Sequence, residues 1–271
     1  MRKFVGLLLI TVFMWSCEDV VELDLNNADP RLVIDASIEL EEDGTTVAQV
    51  LLSRTADFYT EENPLVEGAV VTVSDDQGNN YILTDVGFGL YSAEIITAED
   101  GVSYTLRIED GNDIYTATEQ LVRTSPLIEV EQEIVTGFGD DVLKLTAFYN
   151  DPPGLGNYYL FEYLDPLNEQ VDVGDDEFLD GNTSPTIFFF EDFEAGDLAT
   201  FRSKGIDQEC YNFYRKLLDQ SGEGSGGGPF STPPATVRGN IINSTNPERY
   251  PFGYFRVSEV FTLEYTIQPT D

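Results

Sequence analysis

The chain has 271 residues, 41% of them apolar, enough for one large or two ordinary cores, and its 50 acidic against 14 basic side chains leave a net charge of −36. That balance excludes nucleic acid as a partner, because phosphate binding rests on clustered Lys and Arg, and it sets the protein surface against anionic lipid head groups. Histidine is absent, which removes Ser-His and Cys-His nucleophiles, His-ligated zinc and imidazole acid–base chemistry together.

At the N-terminus, Arg2 and Lys3 precede an apolar stretch from Phe4 to Met14, and small Ser16 stands immediately before Cys17. The stretch is too short to span a bilayer and has the anatomy of an export signal. The junction Met14-Trp15-Ser16-Cys17 resembles a bacterial lipoprotein processing site. The resemblance implies a leader over 1–16, lipidation at Cys17 by acyl chains such as palmitate, and a tether over 17–29. Two or more chains hold a protein firmly to a membrane, at about 0.8 kcal/mol per buried methylene. Glu18, Asp19, Glu22 and Asp24 resemble the acidic surface-export signals of Bacteroidota lipoproteins. The expected location is therefore the outer membrane, lipid-anchored and facing the cell surface.

From Pro30 to Ser125 short β-type runs follow one another between turns: Arg31 to Glu39, Thr46 to Arg54, Ala69 to Ser74, Asn80 to Thr84, Gly89 to Ile96, Val102 to Glu109 and Asp113 to Glu119. Alternation is clear in Leu32, Ile34, Ala36 and Ile38 and in Tyr104, Leu106 and Ile108, so every second side chain faces a core. Asp76-Gln77-Gly78-Asn79 and Asp110-Gly111-Asn112 read as hairpin turns. The pattern predicts a β-sandwich domain over 30–125. Pro64 to Val71, with Gly89-Leu90-Tyr91 and Tyr104-Thr105-Leu106, resembles immunoglobulin-like or carboxypeptidase-regulatory-like sandwiches, a likeness specific for fold alone.

A second β-rich domain is expected over 126–271. Its strands are placed near Ile128 to Val135, Val142 to Tyr149 and Tyr158 to Tyr163, with two more strand-like segments around a Gly181-Asn182 turn. One helix is predicted near 207–220. Cys210, Phe213, Tyr214 and Leu217 form its apolar stripe and Asp207 its cap, so it should dock on the second sheet. Gly222 to Gly228 reads as a loop, followed by extended Pro229-Phe230 and Pro233-Pro234. Val237 to Ile242 and Gly253 to Ile267 read as closing strands.

The chemistry-bearing patterns are sparse. Cys210 on the apolar helix face reads as a small core hydrophobe, and once Cys17 is acylated no disulfide can form, these being the two cysteines. Ser203 and Lys204 are neighbours in the sequence and read as an unremarkable loop or turn. Gly222, Gly224 and Gly227 match G-x-G-x-x-G by letter but follow a helix and open no βαβ unit. Asp172, Asp175, Asp176, Glu177 and Asp180 are calcium candidates by their oxygens. Their spacing fails the D-x-D-x-D-G pattern, and a solvated acidic loop is the simpler reading. No catalytic residue, cofactor or metal is assigned. The aromatics Tyr158, Tyr159, Phe252 and Tyr254 are available to an unknown ligand or partner, with core packing as their default role.

Cys17 to Leu25 with Pro30 to Ala36, and at the far end Pro229 to Ile241 with Phe252 to Phe255, are similar to a Bacteroidota outer-membrane lipoprotein family catalogued as domain of unknown function 4249. The resemblance implies association with a SusC-like, TonB-dependent nutrient-uptake receptor and names no catalytic residue. A non-catalytic accessory or ligand-binding role is the leading expectation. A structural or adhesive surface protein is the alternative, and a carboxylate-based glycosidase, with two acids roughly 5–10 Å apart across a cleft, is the third.

Overall fold

The computed structural model describes residues 29–57, 60, 63–95, 97–136, 141–221 and 236–269. Cys17, the leader and nearly all of the tether lie outside the described residues, as do Gly222 to Gly228 and the prolines that follow.

All seven expected N-terminal strands form: β1 (Leu32–Glu41), β2 (Thr46–Arg54), β3 (Val70–Asp75), β4 (Asn80–Gly87), β5 (Leu90–Ile95), β6 (Ser103–Asp110) and β7 (Asp113–Gln120). The alternating side chains Leu32, Ile34, Ala36, Ile38 and Leu40 of β1 all enter one core with Val71 and Val73 of β3 and Tyr104, Leu106 and Ile108 of β6. Strand β4 closes the sandwich by changing sheets. Its first half, Asn80 to Leu83, pairs with β3, and its second half, from Thr84, pairs with β5. The predicted turns hold as read: Asp75 takes the amides of Gln77 and Asn79 on one carboxylate oxygen, and Gly111 adopts φ 62° between the paired Asp110 and Asp113.

A second sandwich follows. Strands β8 (Leu127–Thr136), β9 (Asp141–Asn150) and β12 (Thr183–Phe190) form one sheet in the order β12-β9-β8. Against it lie β10 (Tyr158–Leu164), β11 (Glu169–Asp175), β13 (Leu198–Ile206) and the end of the last strand. The core between them is aromatic: Tyr163 stacks on Phe190 at 4.2 Å and meets Phe201 edge-on at 5.1 Å, and Tyr149 lies 4.7 Å from Tyr159. The architecture is mainly β, as expected.

The two halves share a strand. β15 (Phe252–Thr266) runs parallel to β1 from Phe252 to Val260 and antiparallel to β13 from Val260 to Thr266. Phe255, Val257 and Ile241 consequently lie in the first core, although they fall within the expected second domain 126–271. A β-strand has two edges and β15 uses each with a different sandwich. Of the expected strand Val237 to Ile242, only Ile242 is in a strand, the two-residue β14 (Ile242–Asn243) on β7. Gly239 passes so close to the Gly253 carbonyl that a Cβ there would sit 1.7 Å from the oxygen, which leaves no room for a further ladder strand.

The predicted helix is α1 (Gln208–Ser221), and Asp207 caps it, its Oδ1 accepting from the Cys210 amide at 2.7 Å. Cys210, Tyr211 and Phe213 pack with Leu160, Ile206 and Tyr254 on the outer face of β10, β13 and β15. Leu217 departs from the expected stripe and is 44% exposed, beside a groove that Val33, Phe213, Val237 and Phe252 also line.

Gly253 holds φ 102°, and a Cβ on it would lie 1.8 Å from the Ile34 carbonyl oxygen. Gly253→Ala is expected to lower unfolding stability by roughly 3 kcal/mol or more, read as a shift of the urea midpoint with unchanged slope, since both backbone strain and overpacking act there.

Candidate functional site

Since β1 sends its even-numbered residues into the first core, its odd-numbered ones line the outer face of the shared sheet, and β15, β13 and β10 present alternating residues to the same face. That register gathers Glu39 and Glu41 of β1, Arg256 of β15, Arg202 and Lys204 of β13 and Glu162 of β10. Lys204 Nζ donates to Glu39 Oε1 at 2.7 Å and to Glu162 Oε1 at 2.6 Å while only 2% of its side chain is exposed. Arg202 reaches Glu39 at 2.8 Å and Glu41 at 2.6 Å, and Arg256 reaches Asp35 at 3.1 Å, Glu39 at 3.2 Å and the Tyr214 hydroxyl at 3.2 Å. Burial alone would raise the Glu39 carboxyl, yet Lys204, Arg256 and Arg202 outweigh it and hold the pKa at about 2.

This cluster decides two readings. Ser203 and Lys204 face opposite sides of β13: the serine hydroxyl pairs with Thr124 at 3.1 Å and the lysine lies between two carboxylates, so no Ser-Lys dyad forms. Cys210 is buried and its thiol is pushed up by that burial, against the opposing field of Arg256, which makes it the inert core thiol expected.

The calcium candidates separate. The group that converges is Asp151, Asp176 and Asp180, with carboxylate oxygens within 4.8 Å of one another. Asp172 stands on β11, Asp175 accepts from the Tyr211 hydroxyl at 2.5 Å, and Glu177 donates its amide to Asp175. Asp151 belongs to the loop after β9, too distant in sequence for a spacing pattern to find. Its oxygens accept from the Tyr159 hydroxyl and the Gly181 amide. Asp176 accepts from the Gly156 and Asn157 amides and the Asn157 side chain, and Asp180 from the Gly154 amide at 2.6 Å. Burial raises Asp176, but those donors win and its pKa is lowered. An all-oxygen set suits a hard cation. The oxygens already bound to amides, however, make this a knot between the 151–157 and 176–182 loops. Asp151 and Asp176 are buried, so the pair does not open onto a sugar-sized cleft as glycoside hydrolysis requires.

Of the aromatics singled out, Tyr159 and Tyr254 are core residues, Tyr158 packs on Tyr211 at 5.2 Å and Phe252 on Tyr250 at 5.7 Å. Tyr250 also carries the guanidinium groups of Arg31 and Arg238 at 3.9 and 3.6 Å from its ring centre. Grooves among the described residues offer places for a ligand or partner, and two of them border α1. One, about 500 Å³, lies beside Phe213, Leu217, Val237 and Phe252; the other, about 720 Å³, lies between α1, β11 and β12.

A family model described as a domain of unknown function, DUF4249, matches residues 18–264. No curated protein matches the chain. Among solved structures, a cytokine receptor complex is similar at 13% identity over 65% of this chain and 86% of that one, with a TM-score of 0.24. A two-domain fibronectin type-III segment of chicken tenascin follows at 14% over 66% and 92%, TM-score 0.20, and the chicken interferon gamma receptor alpha chain at 12% over 66% and 90%, TM-score 0.19. At those scores the overlays carry no argument.

Two groups set opposite pH trends. Glu39, with its folded pKa below the ordinary 4.5, adds stability that is complete above pH 4.5 and lost as pH falls toward 2, on the order of 3 kcal/mol. Glu119 is pushed up to about 7 by burial, with Asp207 and Glu209 adding to the shift and the Asn240 side chain opposing it. Its native state holds a proton that the unfolded chain releases near 4.5, so stability falls as pH rises from 4.5 through 7. Denaturant midpoints should therefore peak at about pH 4.5 and fall as pH rises through 7. Glu119→Gln should flatten the upper slope, and Lys204→Met should cost about 3 kcal/mol by removing the buried ammonium between Glu39 and Glu162, which keep Arg202 and Arg256 as their remaining partners.

Proposed function

The chain belongs to the DUF4249 family, and from that premise we propose that it is a lipid-anchored lipoprotein of the bacterial outer membrane, facing the cell surface, that serves a TonB-dependent, SusC-like nutrient-uptake receptor as a non-catalytic accessory or ligand-binding partner. The observation that carries the proposal is the junction Ser16-Cys17-Glu18-Asp19, where an export-type apolar stretch runs into the residue to be acylated and then directly into acids. The charge of −36 supports an anchor made by lipid and not by the protein surface.

The folded body suits an accessory role. Two of its acidic clusters are engaged within the body, one by basic side chains at the β1–β15–β13 seam and one by backbone amides at the Asp151 knot. Among the described residues, the faces that suit contact include the two grooves beside α1 and exposed apolar side chains such as Phe88 and Phe178. An adhesive or structural surface protein would share this body, and the receptor is what distinguishes the two.

Solubilising native outer membranes in detergent, capturing the chain by a C-terminal tag and identifying bound proteins by mass spectrometry tests the proposal. Stoichiometric recovery of a TonB-dependent barrel is expected, and recovery of the chain alone moves the reading to adhesion. Cys17→Ala should shift the protein from the membrane to the soluble fraction while leaving its denaturation midpoint unchanged, because the acyl chains supply the membrane affinity and none of the core.

A further inference from the structure

Among the described residues, strand β11 pairs only with β10, and β12 only with β9. Each therefore keeps one edge whose backbone amides and carbonyls are turned away from any ladder partner. The two free edges border the same groove, of about 720 Å³, and α1 forms its third wall. Five consecutive residues of β11, Glu169 to Val173, line it, a length of about 16 Å at the usual rise of a strand. At one end the edges are clasped by side chains in place of backbone: Gln170 donates to the Phe189 carbonyl at 3.1 Å and Asn168 to the Asp192 carbonyl at 2.9 Å.

The edges of this sandwich are guarded unequally. Edge strand β8 carries exposed Glu129, Glu131 and Glu133, the charged blocking that keeps free edges from pairing. Edge strand β12 instead shows Ile187 at 39% and Phe189 at 51% exposure toward the groove. The charges in the groove are Glu169, Asp172 and Asp219 against Arg215, so its balance is negative. A second copy of this chain, itself at −36, meets repulsion there.

We propose that this groove receives an extended, basic segment of a partner polypeptide, which adds as a strand to the free edge of β11. Main-chain hydrogen bonds to the edge would supply affinity. Alternate side chains of the segment would turn toward α1 and toward β12, where basic ones meet Asp219 and Asp172 and apolar ones meet Leu218 and Phe189. The contact goes beyond the accessory reading and does not depend on the partner being a transporter.

The test uses the full folded body and a fluorescent peptide of alternating Lys and Val, with two comparison peptides: alternating Glu and Val, and the Lys-Val peptide N-methylated at every second residue. In about 150 mM salt, where long-range attraction is screened, saturable one-to-one binding of the Lys-Val peptide is expected. Binding should weaken at least about tenfold on N-methylation and in the Asp172→Lys/Asp219→Lys double variant, and the Glu-Val peptide should not bind. Hydrogen exchange on the wild-type chain should show peptide-dependent protection in β11 and β12. Equal binding of the N-methylated peptide, protection elsewhere, absence of binding, or concentration-dependent pairing of the chain with itself through β12 each overturns the proposal. Failure to recover a receptor from membranes leaves it standing.

Discussion

The structure depends on one hydrogen-bonded seam. β15 gives one edge to β1 and, from Val260 onward, the other edge to β13, so the two sandwiches are joined through backbone ladders and not through a linker. Net worth per ladder bond is modest, about 1 kcal/mol, but the bonds lie in register along fifteen residues and break together. Hinge motion between the halves would have to rupture one ladder. Two β-sandwiches joined by a short segment bend by default; here the last strand removes that freedom, and any surface that draws residues from both halves is fixed in shape.

The seam also explains the buried charges. A sheet continuous across two sandwiches has an outer face at the join that neither core covers, and α1 covers the part over β11, β10, β13 and β15. Apolar residues on that strip would be an exposed patch; isolated charges would be costly. Lys204 and Arg256 set between Glu39, Glu162 and Asp35 satisfy both limits. The arrangement does not maximise stability, because desolvating several ions opposes their attraction. Its effect is on register: a one-residue slip of β15 against β1 would carry Arg256 to the opposite face, into the core that now holds Phe255 and Val257.

The elements most legible in the sequence are those whose information is local. Alternation located all seven strands of the first sandwich, and the spacing of Cys210 and Phe213 with Asp207 before them located α1 to within a residue. What escaped is set by distant contacts. Nothing near Val260 marks the change of partner, since a strand reads the same whichever neighbour it pairs with. Leu217 continues the apolar stripe by periodicity, but it borders a groove instead of packing against the sheet. Asp176 and Asp180 stood out as acids, whereas Asp151, which completes their group, is brought in by the β9–β12 pairing. Lys204 is the clearest case: beside Ser203 it reads as part of a loop or turn, yet it stands in β13, and only the alignment of three strands surrounds it with carboxylates.

A free strand edge is ordinarily a hazard, and the strength of its guarding reports what it is for. β8 is guarded by glutamates, and β14, at the far end of the large sheet, is two residues long and offers almost no edge. β11 and β12 face each other across a gap that two side-chain clasps hold open instead of closing into a ladder. Direct pairing would have completed the barrel-like wall and removed both edges at once, the usual solution for a β protein. Holding the edges apart forgoes those hydrogen bonds, yet the same loops are fastened elsewhere by Asp151, Asp176 and Asp180. The chain thus anchors the ends of β11 and β12 while leaving one edge of each without a ladder partner among the described residues, and an edge held in place in this way adds little ordering cost to a strand that pairs with it.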